Sequence, residues 1–133
     1  MDGTLVFGSP QTAFQGRCLR LLENGLLEQA PDGLDVDQTW HKPEDVLLAV
    51  EVVSADSLER DRETKARKYA AAGPRHCWRV EQDENKGLPV VHVYELDPAT
   101  RTYGLAGIFD DRLRHSVPFD IEIDLTVINR RRP

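Results

Sequence analysis

The run Asp45-Val46-Leu47-Leu48-Ala49-Val50-Glu51-Val52-Val53 constrains this chain more than any other stretch. It is apolar almost throughout and rich in valine, the pattern of a central strand buried on both faces. Alternate side chains of a strand share a face. Glu51 therefore groups with Leu47, Ala49 and Val53, while Val46, Leu48, Val50 and Val52 line the other side. A carboxylate in that company has no evident route to water. Burying it unpaired costs on the order of several kcal/mol, so it must protonate or meet a cation. Two plainer alternatives stay open: a strand-end carboxylate that reaches solvent, and a structural ion pair.

The following segment offers the cation. Leu58, Asp61, Lys65, Tyr69 and Ala72 recur at three- and four-residue spacing and form one stripe of a helix over 58–72, stopped by Gly73-Pro74. The stripe is apolar at its ends and should face the sheet. Asp61 and Lys65 then occupy inward positions, while Arg60, Glu63, Arg67 and Lys68 supply the exposed side. Glu51 lies roughly 10 Å before the end of its strand at strand rise. Lys65 lies roughly 10 Å into its helix at helix rise. A helix folding back on the strand brings the two to one level. The alternative is an i,i+4 Asp-Lys surface pair, which contributes only about a few tenths of a kcal/mol.

The rest of the chain frames this pair. Leu5 to Phe7 reads as the end of a strand. Ser9-Pro10 predicts a helix start, and Phe14, Cys18, Leu21, Leu22 and Leu26 carry an amphipathic helix over 10–29, weakened late by Gly25. After the Pro31-Asp32-Gly33 turn, strands are expected at 34–40, 45–53, 76–82, 89–96, 102–109 and 118–123. The order of helix, strands, helix, strands predicts a single α/β domain over residues 1–133, bordering on α+β, with a mixed central sheet and flanking helices.

Composition narrows the function classes. With 133 residues the chain can build one core. No apolar run approaches the ~20 residues of a membrane helix, and no secretory signal opens the chain, so a cytoplasmic protein is expected. Cys18 and Cys77 have no metal-ligand spacing and read as buried free thiols. The net charge of −6 argues against strong nonspecific nucleic-acid binding but not against a site built from acidic metal ligands. The Arg130-Arg131-Arg132 run reads as a solvated tail. His41, His76, His92 and His115 show no ligand spacing, and His92 should point outward from its strand. Trp40 and Trp78 read as core or edge aromatics.

Ala49-Val50-Glu51-Val52-Val53-Ser54, then Asp61, Lys65 and Tyr69, then Ala71-Ala72-Gly73 and Trp78, resembles the Uma2 family of endonuclease-like proteins. The likeness runs from Asp2-Gly3 to Leu125 and is densest over residues 43–80. It implies a restriction-endonuclease-like core, nucleic acid (DNA foremost) as substrate, and Mg²⁺ or Mn²⁺ as cofactor. By that resemblance Glu51 is the acidic metal ligand and Lys65 the catalytic lysine, with Asp61 and Tyr69 orienting it or the substrate. Two parts of the family pattern find no counterpart. The Pro-Asp pair on the preceding strand is missing, which leaves Asp35 and Asp37 as substitute metal ligands. The helix before the first hairpin is also missing. These departures keep a second reading in play: a catalytically inactive form of the fold serving as an interaction or homodimerisation module.

Overall fold

The computed structural model describes residues 3–8, 12–37, 46–53, 74–83, 85 and 87–129, with 34–37 taken as backbone. Its elements are β1 (Gly3–Phe7), α1 (Ala13–Gln29), β2 (Leu34–Asp37), β3 (Val46–Val52), β4 (His76–Gln82), β5 (Pro89–Asp97), β6 (Thr102–Phe109), β7 (Arg112–His115) and β8 (Ile121–Asp124), with a closing 3-10 turn at Leu125–Asn129. Among the described residues, six strands form one sheet in the order β2-β1-β3-β4-β5-β6, and β7 pairs with β8 in a small second sheet. The strands β2, β1, β3 and β4 run parallel, and β5 and β6 add on antiparallel. This is the mixed α/β sheet that the element order predicts. The expected helix over 58–72 lies outside the described residues.

One face of the sheet holds the main core. Leu5, Phe7, Leu48, Val50, Trp78, Val80, Val91 and Val93 pack against Cys18, Leu19, Leu22 and Leu26 of α1, and against Leu113, Ile121, Ile123 and Leu125. The α1 positions fall at helical spacing, which is why one stripe of the helix is apolar. Trp78 is wholly buried, so its role is packing, as expected of a core aromatic. The helix does not begin at Pro10. Thr12 has extended backbone (φ −126°, ψ 163°) and caps it: Gln15 N donates to Thr12 Oγ1 at 3.1 Å, and Thr12 N donates to Gln15 Oε1 at 3.2 Å. This reciprocal box satisfies two backbone donors at once, an option that the Ser9-Pro10 reading overlooked.

Glutamines anchor both ends of α1. Gln15 Nε2 reaches the Val52 carbonyl at 3.4 Å, next to Glu51. At the other end Gln29 Nε2 donates to the Glu122 carbonyl at 2.9 Å, while Glu122 N donates to Gln29 Oε1 at 2.7 Å. The amide thus pairs with β8 as another strand would. The last strand begins at Ile121 rather than residue 118, because its ladder with β7 starts at the His115–Ile121 pair and residues 116–120 make the connection. β7 was not anticipated: in Arg-Leu-Arg-His only Leu113 and the half-buried His115 turn inward, too short an alternation to read.

The alternation along β3 also departs from expectation. The β1–β3 register slips between Thr4 and Leu5, so that Thr4 faces Val46 but Leu5 faces Leu48. Leu47 is the extra residue of a bulge. Val46 consequently joins Val6 and Ala49 in a small second cluster, instead of sharing a face with Leu48.

Gly25 explains itself at the α1–β8 contact. A Cβ there would lie 2.7 Å from Cγ1 and 2.8 Å from Cδ1 of Ile123, which is itself buried. The close approach overrides the helix preference for alanine. Gly25→Ala should lower unfolding free energy by about 1–3 kcal/mol, the usual cost of overpacking, where helix propensity alone predicts a gain of about 1 kcal/mol. Urea denaturation decides the sign.

Candidate functional site

Glu51 stands on β3, inside the parallel part of the sheet. Its ladder partner on β4 is Arg79, and Arg79 in turn faces His92 on β5. Directly opposed residues of paired strands present to one face. Val50, Trp78, Val80, Val91 and Val93, their sequence neighbours, occupy the α1 face. Glu51, Arg79 and His92 therefore make a charged row across three strands on the face turned away from α1.

The three are unequally covered. Arg79 is only 7% exposed, one of two polar side chains among the buried residues described. Glu51 and His92 are half-buried. Glu51 thus keeps some access to water, contrary to the expectation of full enclosure, since it lies one residue from the end of β3. His92 does point away from Val91 and Val93, but the face it joins is that of Glu51.

The other predicted residues divide in two. Lys65, Asp61 and Tyr69 lie outside the described residues, so their meeting with Glu51 stays a proposal. Asp35 and Asp37 lie on β2. Asp37 shares a register row with Val6 and Ala49, and Asp35 one with Thr4 and Val46. β1 separates β2 from β3. At strand spacing the Asp37 backbone is therefore roughly 10 Å to the side of β3, level with Ala49 and two residues short of Glu51. Among the described residues, no three His, Cys, Asp or Glu side chains come together to hold a metal ion. The one predicted ligand whose side chain is described, Glu51, offers the oxygen donors that a hard divalent cation takes.

Arg79 was missed in the sequence, and a signal was there. Cys77-Trp78-Arg79-Val80 is a buried strand interrupted by one charge, the same anomaly that singled out Glu51. A cleft of about 510 Å³, lined by Gln29, Arg114, His115, Ser116, Asp120 and Glu122, lies beside the small sheet on the α1 side. It is separate from the charged row.

A parallel-centred mixed sheet with a helix packed on one face, and an acidic residue inside a central strand, is consistent with the restriction-endonuclease-like class. Comparison with protein families places the chain within that class. A family model described as "Putative restriction endonuclease" matches residues 21–127. The chain belongs to this family, Uma2. No curated protein matches it. Among the described residues no helix is long and apolar enough to cross a membrane. Cys18 and Cys77 are both free and buried, as expected, and burial pushes the Cys18 thiol up to about 12.

A second polar cluster lies where β4 begins. His76 faces Glu95 across the ladder, and His115 Nε2 lies 3.7 Å from Glu95 Oε1. His115 also packs edge-on to Phe109, with ring centroids 5.9 Å apart. His76 Nδ1 is buried with no hydrogen-bond partner among the described residues. Burial holds His76 below the ordinary 6.5, and His115 and Arg75 push the same way against the opposing pull of Glu95. A depressed histidine binds fewer protons folded than unfolded. Its contribution to stability is therefore complete above about pH 6.5 and is lost as pH falls from there through the folded value. Unfolding midpoints taken between pH 7.5 and 5.5 should fall with acid, and His76→Asn should flatten that slope. An unchanged slope would refute the assignment.

Proposed function

We propose that the chain is a metal-dependent nuclease that hydrolyses phosphodiester bonds of nucleic acid, with DNA as its substrate. The observation that carries this reading is the position of Glu51: a half-buried carboxylate inside the central strand of a sheet whose family is described by nuclease activity. Glu51 would hold Mg²⁺ or Mn²⁺, and such an ion supplies Lewis acidity and an activated water when bound. Lys65 would orient that water and offset phosphate charge, with Asp61 and Tyr69 fixing Lys65 or the substrate. Of the substitute ligands, Asp37 sits two residues nearer to Glu51 along β2 than Asp35 does, and is the better candidate. The free cysteines support work in the reducing cytoplasm.

One observation favours a second reading, a non-catalytic module that pairs with its own copy. β6 is an edge strand without a single charged residue between Thr102 and Phe109, and it exposes Leu105 (52%) and Ile108 (57%). Edges normally carry charges that prevent such pairing.

Supercoiled plasmid with Mg²⁺ or Mn²⁺ tests the first reading. The chain should nick it. Glu51→Gln and Lys65→Met should each reduce the rate by at least about 100-fold, since a direct ligand should matter no less than the residues that merely support one. Full activity in Glu51→Gln would sink the assignment. No cleavage together with no saturable Mn²⁺ binding in calorimetry would turn the conclusion to the pairing module.

A further inference from the structure

Arg79 poses a problem that packing alone does not solve. A guanidinium stays charged at any pH the fold survives. Burying it without an anion is strongly unfavourable. Arg79 is 7% exposed in the middle of β4, between Trp78 and Val80 of the apolar core face. The ladder limits which groups of the described strands lie beside it. Glu51 is directly opposite on β3, about 4.8 Å away at strand spacing. His92, opposite on β5, brings no negative charge. Glu81 lies two residues along β4, on the same face but toward the strand's exposed end.

We propose that Arg79 is the resident counter-ion of Glu51, a positioning residue that holds the carboxylate and with which a divalent cation must share it. The pairing rests on the register alone. The sharing rests on the nuclease reading of Glu51. A fixed charge beside the carboxylate repels a second cation brought to the same oxygens, so Arg79 keeps metal affinity low while fixing the side chain's direction. This accounts for both anomalies in the sheet with one interaction. Each charge that interrupts a buried strand is the other's partner.

The pairing is tested without metal, on the whole chain. Unfolding of Glu51→Gln, Arg79→Gln and the double variant forms a cycle. The double variant should lose clearly less stability than the two single losses added together. Strict additivity would overturn the pairing. If Arg79→Gln does not fold, nuclear magnetic resonance on the wild type and Glu51→Gln decides it. The Arg79 Nε–H signal should be protected and should move when Glu51 is replaced, and an unmoved signal would overturn the pairing. Mn²⁺ calorimetry then tests the sharing: Arg79→Gln should bind about tenfold more tightly than wild type, and Arg79→Lys should match wild type. Equal or weaker binding by Arg79→Gln would overturn the sharing. If neither protein binds Mn²⁺, the nuclease reading fails, and the cycle still decides the pairing.

Discussion

Parallel strands at the centre of a sheet must lose water from both faces, and this fold meets that demand in two chemically different ways. On one face, α1 and the small sheet close over Leu48, Val50, Trp78 and Val80 with apolar contacts. On the other, among the described residues, Val6, Val46 and Ala49 form a small apolar cluster, and beyond it lies the row of Glu51, Arg79 and His92. The first face needs no specific partner for each group. The second does, because every charge removed from water there requires an opposite charge or a hydrogen bond. The α1 face therefore sets the rigidity of β3 and β4, and the other face inherits that rigidity as fixed spacing between charged groups.

The way α1 is tethered strengthens this division. Gln15 belongs to the helix cap and also reaches the Val52 carbonyl, one residue from Glu51. The start of the helix is thus tied to the Glu51 end of β3. Its far end is tied to β8 through Gln29, at the level where Gly25 lets Ile123 approach. A helix anchored at both ends can hardly slide along the sheet. The end of β3, where Glu51 stands, gains from that constraint, and under the proposed function it is there that a metal ligand has to be held to within about 0.5 Å.

Much of this was legible in the residues, for reasons that can be named. β4 and β6 match their expected bounds because their Val, Tyr and Phe content and flanking turns act locally. α1 was legible from its apolar spacing, but not its start, since choosing Thr12 over Ser9 depends on the reach of Gln15. The Leu47 bulge was invisible because a register slip is a property of two strands, not one. β7 was invisible because Leu113 is the one apolar residue among its four. Glu51 was legible because one charge in a valine run is conspicuous. Arg79 breaks its strand just as plainly, but its importance appears only once β3 and β4 are aligned. Whether Lys65 reaches this row depends on residues outside those described.

The alignment also changes what a lone carboxylate on a strand signifies. A glutamate among valines suggests a site waiting for a metal, since nothing in its own strand balances it. In the sheet it acquires an arginine neighbour fixed at one strand spacing. A guanidinium and a divalent ion are competing solutions to the same electrostatic demand. The guanidinium is always present, and the ion arrives only if its binding outweighs the repulsion. On the proposed reading, a chain that carries both a metal-ligand glutamate and a buried arginine beside it holds its fold without the ion, and its chemistry becomes conditional on ion concentration. By that proposal, the row that stabilises the sheet is also the row that sets when it acts.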